Sequence, residues 1–479
     1  MMRSMFSGVS GLRIHQTKMD VIANNISNVN TNGFKSSRVT FAEIFAQTTS
    51  GASGANAATG KGGVNPMQIG LGGTVASIDL SMTQGAAQRT DNPYDLMIQG
   101  DGFFIVGDGS GTYFTRAGAF SLDAEGNFVN PSGMRLQGWD RVWDNVNKEW
   151  KIQRGMVQGL TLTPEKQSSP PQATTKVEFE NNLNGTTTQE HVSTISFYDS
   201  LGNRYTTQVV FDNPSATAPG VSTTWDMHLY NDGSTGIPAG ANNGYMWADG
   251  TDPSKPENRI PLVATGVLAT LTFDSNGVLD ATAANGGVVG TTTGAVVTAG
   301  LAQAVIQIEP VPGAGSVPML PPAATFGQDG SGEILLDFKN ITQFGNEVTN
   351  AKSDTVDGHG PGNLTGVSIG ADGKIMGRYT NGMLEVLGQV AVARFDNPQG
   401  LEKAGDNLYV TTINSGDFDG IGEEVQADGS KIMGGVLEMA NVDLAQEFTE
   451  MITTQRGFQA NSRTITTSDE MLQELVRLK

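Results

Sequence analysis

The chain has 479 residues, enough for about three domains at the usual domain size, with 62 Gly, no Cys, 16% charged residues and a formal net charge of −20. The absence of cysteine rules out disulfides, thiolate metal sites and a Cys nucleophile, and the acidity opposes binding to nucleic acid or anionic membranes. With so few charges the surface must rely on Ser, Thr, Asn and Gln, and the negative balance serves solubility.

The N-terminal stretch MMRSMFSGVSGLRIHQ lacks the continuous apolar run of a secretory signal. No window of about 20 residues is apolar enough to enter a membrane as a spanning helix. A protein of this kind that leaves the cell does so by a route that reads an uncleaved N-terminus. Met5, Leu12, Met19 and Ile26 recur every seven residues, with Val9, Gln16 and Ala23 between them. That 3,4 spacing is a helical stripe that packs against another helix. Gly8 and Gly11 make the helix marginal alone, so it needs a neighbour to order it.

The stripe runs into NNISNVNTNGFK, residues 24–35, dense in neutral amides. In an assembly of identical copies a charge near a contact meets its own sign, whereas an amide both donates and accepts. Asn24, Asn25, Asn28 and Asn30 are therefore expected to make neutral contacts between copies where the helix ends. The competing reading is that the run only caps the helix. Asn32 and Gly33 supply the positive φ that turns the chain outward, and Phe34 anchors the next segment.

Residues 31–70 read as a connecting segment, with the flexible linker TTSGASGANAATGKGG at 48–63. Beyond residue 70 short β-like runs alternate with turn signals, among them Ala-Glu-Gly-Asn at 124–127, Ser-Asn-Gly at 275–277, Ala-Asp-Gly-Lys at 371–374 and Thr-Asn-Gly at 380–382. LMIQGDGFFIV, residues 96–106, reads as strand, turn, strand. Residues 281–326, mostly Ala, Gly, Thr, Val and Pro, read as a loosely specified insertion.

At the C-terminus Leu444, Met451, Phe458, Ile465 and Leu472 recur every seven, with Asn441, Phe448, Gln455, Ser462, Asp469 and Val476 between them. Heptads at both ends predict helices that pair with each other, with other copies, or with both. Residues 1–47 carry five basic and two acidic groups, and residues 441–479 four basic and six acidic, so the ends attract. Exposed ion pairs contribute under about 1 kcal/mol each, so apolar burial must dominate.

Catalytic motifs fail on inspection. GVSIG at 366–370 has the spacing of a nucleophile elbow, but turn and strand follow it and the last histidine, His359, precedes it. GANAATGK at 54–61 is one residue too long for a phosphate loop, with Gly62 where Ser or Thr should stand. NSGDFDGIGEE at 414–424 has its Gly at the wrong offset for a calcium loop. His15, His191, His228 and His359 show no ligand spacing. No catalytic residue, cofactor or metal is expected.

NNISNVNTNGFK at 24–35 and the stretch 440–479 resemble the terminal signatures of bacterial flagellar rod and hook proteins. TDNPYDLMIQGDGFFIV at 90–106 and TRAGAFSLDAEGNFV at 115–129 are similar to segments shared across those axial proteins, while FYDSLGN at 197–203 and LLDFKNITQFG at 335–345 resemble hook outer-domain motifs. The likeness covers roughly residues 1–210 and 333–479. It implies a multidomain α+β fold, with paired terminal α-helices in a coiled-coil-like inner domain (1–30 plus 440–479) and mainly β middle and outer domains inserted between them. The connecting segment is 31–70, the middle domain 71–145 plus 362–435, and the outer domain 146–361; residues 212–330 lie outside the likeness, and the length of the insertion there leaves room for an extra lobe. The resemblance further implies a helical homopolymer that bends as a universal joint and leaves the cell through the flagellar export apparatus. Its implied partners are a hook cap, the distal rod and hook–filament junction proteins, with no nucleic acid and no membrane insertion. Another axial component such as a distal rod protein is the alternative; rod proteins are expected to be much shorter and to lack the large insertion. A secreted β-rich binding protein should instead carry a signal peptide and a one-way coiled coil.

Overall fold

A computed structural model of the chain describes residues 2–54, 60, 62–109, 111–144, 149–187, 189–213, 224–230, 245–251, 255, 259–261, 269–273, 277–279, 288–289, 303–307, 333–345 and 348–477. The chain falls into two compact units, the first comprising 1–167, 365–378 and 384–479, the second 168–364 and 379–383. Among the described residues no helix is long and apolar enough to cross a membrane.

The first unit carries both chain ends. Helix α1 spans Met2–Ser27. It ends where the amide run begins: the Asn28 amide still bonds the Asn24 carbonyl at 3.2 Å, and Gly33 then turns the chain at φ 70°. A Cβ at Gly33 would stand 2.5 Å from the Ala117 amide nitrogen, so close approach as well as φ demands glycine there. Strand β1 (Ser37–Glu43) comes next, with β2 (Ala46–Ser50), β3 (Met67–Gly70) and β4 (Gly73–Leu80). β1 pairs antiparallel with β4, and β2 with β3. The stretch expected as linker is thus partly ordered, with an isolated bridge between Ser53 and Val64 beyond the ladder. Residues 55–59 and 61 of that stretch lie outside the described residues. Cross-strand pairing of Thr, Gln, Met and Ile supplies the order that a count of small residues does not reveal.

The β body of this unit has a core of Phe103, Ile105, Phe114, Trp139, Ala391, Ala393, Leu401 and Tyr409. The strands 103–107, 112–115 and 135–144 come from the first half of the chain, and 384–390, 402–405 and 408–410 from the second, all in one sheet. Two short ladders bind the C-terminal approach to the same body, Leu96–Gln99 with Lys431–Gly434 and Ala87–Arg89 with Val436–Glu438. Helix α2 is the single turn Pro164–Gln167, and α3 spans Leu444–Arg477. The Asp443 carboxylate caps α3, accepting from the Ala445 amide at 2.8 Å and the Gln446 amide at 3.3 Å.

The second unit is built from strands around a core that includes Val177, Phe179, Phe197, Phe211, Trp225, Leu271, Leu336 and Phe338. Lys176–Asn182 runs parallel to Glu333–Thr342. His191–Tyr198 and Arg204–Asp212 form a hairpin closed by Asp199-Ser-Leu-Gly-Asn203. The expected insertion 281–326 lies almost wholly outside the described residues; of it, 288–289 and 303–307 are strands. The expected extra lobe within 212–330 also lies largely outside them, and its described pieces include Thr224–Leu229, which pairs with Arg204–Asp212.

Candidate assembly surface

α1 and α3 lie antiparallel. Ser4 Oγ is 3.2 Å from Ser468 Oγ, Lys18 Nζ is 3.1 Å from Glu450 Oε2, and Asn25 Nδ2 donates to Glu447 Oε1 at 2.9 Å. Between these points the seam is made of small residues. A Cβ on Gly8 would sit 2.9 Å from Ile465 Cγ1, one on Gly11 2.6 Å from Asn461 Nδ2, and one on Gly457 2.8 Å from the His15 ring. Ile22, Thr454 and Ser468 are buried in the same region. Close backbone approach lets the two helices exclude water without large apolar knobs.

The heptad stripes lie mostly to one side of this seam, so of the expected alternatives the two helices pair with each other largely through other residues. At about 100° per residue, Met5, Val9, Leu12, Met19 and Ile26 centre roughly 90° around α1 from the seam. Leu444, Phe448, Met451, Phe458, Ile465 and Leu472 centre at roughly the same angle around α3. Because the helices are antiparallel, equal rotations bring both stripes to one side of the pair. Of these, Ile465 alone also reaches under Gly8 in the seam. Phe448 is 50% exposed, Val9 40% and Leu444 39%; the others are half-buried. The opposite flank of α1 rests on the β1–β4 ladder, where Gly73 faces Ile14 and the Phe41 ring meets His15 edge-on at 6.3 Å. One apolar face of the helix pair is therefore only partly covered within the chain.

The amide run divides by role. Asn25 is 2% exposed and all its bonds are internal: Nδ2 donates to the Ser37 carbonyl at 2.9 Å as well as to Glu447, and Oδ1 accepts from the Ser37 amide at 3.0 Å. It staples α1, β1 and α3 together and is not available to another copy, a correction to the expectation for that residue. Asn28 Nδ2 closes the helix end on the Asn24 carbonyl at 2.9 Å, and the Asn32 carbonyl accepts from Asn407 Nδ2 at 3.1 Å. Asn24 and Asn30 are exposed. Phe34 is buried, with Lys403 Nζ 4.8 Å above its ring.

A buried ion cluster, which no pattern in the sequence predicts, holds this junction. Lys35 Nζ donates to Glu438 Oε1 at 2.7 Å and to the Thr83 carbonyl at 2.8 Å. Arg116 Nη1 stands 3.6 Å from Glu438 Oε2, and Arg116 Nη2 donates to the Gly100 carbonyl at 2.8 Å. All three side chains are buried. Burial pushes the Lys35 ammonium below its ordinary range, against the opposing pull of Glu438. Burial likewise pushes the Tyr409 hydroxyl, in the adjacent core, up to about 12.

No group of three His, Cys, Asp or Glu among the described residues could hold a metal ion. What the site offers is packing surface. The chain is 38% identical over 493 residues to the flagellar hook protein FlgE of Treponema pallidum, covering 100% of both chains. The chain belongs to the flagellar hook protein family. It is a structural flagellar protein, not an enzyme. The flagellar hook protein FlgE of Borreliella burgdorferi is also 38% identical, over 501 residues and 100% of both chains.

Four family models match this hook-family chain in order. They are "Flagella basal body rod protein" at 5–35, "Flagellar hook protein FlgE/F/G D1 domain" at 97–182, "Flagellar basal body protein FlaE D2 domain" at 162–359, and "Flagellar basal body rod FlgEFG protein C-terminal" at 433–478. The first covers Met5 to Phe34 and ends on Lys35; the last begins just before Glu438. The premise that rod proteins are much shorter fails for one relative. The Bacillus subtilis protein named flagellar basal-body rod protein FlgG matches over 479 residues at 27% identity, covering 100% of both chains.

Proposed function

We propose that copies of this chain polymerise through the shared apolar face of α1 and α3 into a curved helical tube that transmits torque as a universal joint. One observation carries the reading: the helices pair through small residues and keep Met5, Val9, Leu12, Met19, Ile26, Leu444, Phe448, Met451, Phe458, Ile465 and Leu472 on one side, with Phe448 and Val9 conspicuously uncovered. An apolar stripe of that length needs cover, and a homopolymer supplies it. Exposed Asn24 and Asn30 stand at the end of the stripe, where neutral amides meet a copy without repulsion. On this reading the tube stands on the distal rod, grows under a cap and meets junction proteins at its far end. The subunit reaches the tip through the flagellar export apparatus with its N-terminus uncleaved.

Electron microscopy of flagellar basal bodies from cells lacking this gene tests the reading. Complete rods that end without a curved hook are expected. Rods that stop short would move the chain into the rod instead.

A further inference from the structure

A second uncovered apolar surface lies away from the helix face. Along the β2–β3 ladder, Met67, Ile69 and Leu71 alternate onto one side, and the Leu71 amide bonds the Phe45 carbonyl at 2.9 Å, which places Phe45 opposite Leu71 on that side. Phe45 is 74% exposed, Met67 59%, Ile69 48% and Leu71 37%. Together they leave about 400 Å² of apolar side chain in solvent, at roughly 150–200 Å² for each whole side chain. A two-stranded ladder is marginal in water by itself, and an alternating strand normally buries its apolar side.

The same chain cannot cover this ladder with the aromatic end of its helix face. Ser37, at the start of β1, is bonded to Asn25, while Gly73, opposite the end of β1, faces Ile14. β1 therefore runs antiparallel to α1, and the β2–β3 ladder begins level with Ser7 and Ser10, which meet a Cβ placed on Gly72. Phe448 and Leu444 lie at the other end, near Asn25, whose side chain reaches Glu447. The separation along α1 is some fifteen residues, about 20 Å. A second copy, displaced along the helix axis, meets no such limit.

We infer that the Phe45–Met67–Ile69–Leu71 face is a plug that packs on the Ile26–Leu444–Phe448–Met451 end of the helix face in a second copy of this chain. The inference rests on the polymer reading and adds to it a defined head-to-tail contact. Plug and socket are different surfaces, so the contact is heterologous, the class of interface from which an open helix is built. At about 400 Å² the plug is too small to hold two copies together alone, since a stable pair buries about 800 Å² on each partner. It acts as a registration contact within a lattice held mainly by the helices.

The chain has no cysteine, so engineered thiols have no background. Ile69→Cys and Phe448→Cys are introduced singly and together, and isolated intact hooks are treated with a short bismaleimide. The double variant is expected to yield a ladder of covalent multimers on a denaturing gel, and each single variant only monomer. If the double variant does not assemble, cells producing both single variants make mixed hooks in which a covalent dimer is expected. Assembled hooks without those products overturn the inference and leave the hook reading intact. Dimers from Ile69→Cys alone also overturn it, because they report a hairpin-to-hairpin contact. Failure of the hook reading itself shows separately, in the basal bodies of the deletion strain.

Discussion

Glu438 draws the two chain ends onto the β body. Its carboxylate takes Lys35 from the end of the amide run, Arg116 from the TRAGAF segment and the Gly85 amide at 2.9 Å. Removing one member of a buried pair leaves an unpaired charge in low dielectric, which costs about 3–5 kcal/mol. Glu438→Gln, which strands Lys35 and Arg116, should therefore lower the unfolding free energy of the purified protein, read from urea denaturation, by an amount of that order, and Lys35→Met, which leaves Glu438 with Arg116, by less. The double variant Lys35→Met with Glu438→Met should lose less than the two singles together, since Arg116 alone is then left without its partner, whereas Glu438→Gln strands Lys35 and Arg116 both. Equal and additive losses would show that packing, not charge pairing, matters there. Little of this was legible, because Lys35 and Glu438 stand 403 positions apart and neither belongs to a periodic pattern. Local turn chemistry, by contrast, was legible. In Asp123-Ala-Glu-Gly-Asn127 the Asp carboxylate accepts from the amides two and four residues on and from the Asn side chain, and Asp199-Ser-Leu-Gly-Asn203 repeats the same bonds. Those bonds hold the Asp123 carboxyl below its ordinary range.

At the scale of elements, the helices were readable and their pairing faces were not. Heptad apolar residues report where a helix can bury area, and both stripes lie on helices. The seam that joins the helices is written in Ser, Gly, Thr and Asn, which carry no apolar period. Between its terminal polar pairs it also holds His15, whose Nδ1 is buried without a hydrogen-bond partner and whose ring fills the space left by Gly457. Burial, then the nearby Lys18, holds the His15 imidazole below its ordinary value of 6.5. A depressed folded value means the unfolded chain binds the proton more readily. The contribution of neutral His15 is thus complete above pH 6.5 and is lost as pH falls through the folded value. Glu447 across the seam acts oppositely: burial raises its carboxyl above 4.5, so its cost is relieved as pH falls through that raised value. Phe41 faces His15 without charge, and Glu450 on α3 is engaged by Lys18. In a Glu447→Gln background, helical circular dichroism should show an acid step below pH 6.5, and adding His15→Gln should remove it. An unchanged step would assign the acid sensitivity elsewhere.

At the scale of the whole molecule, the sequence showed helical ends around a β interior and a family likeness, but not where the uncovered surfaces lie. The β2–β3 plug went unread because its four apolar residues are interspersed with Gln and Gly and sit beside a Gly- and Ala-rich stretch. Its amphipathic character emerges only once the strands pair and the alternation acquires a face. With plug and helix face both apolar, assembly should be held by burial against the mutual repulsion of copies that each carry a net charge of −20. Salt then acts in one direction. Screening weakens repulsion between copies over the Debye length, about 10 Å at 0.1 M, and sulfate strengthens apolar burial by its exclusion from protein surface. The concentration of purified subunit needed for polymerisation should fall as sodium chloride rises, and fall further at equal ionic strength in sulfate. Hooks that instead dissolve in molar sodium chloride would mean that ion pairs between copies dominate, with the acidic α3 surface bound to the basic N-terminal segment of a neighbour.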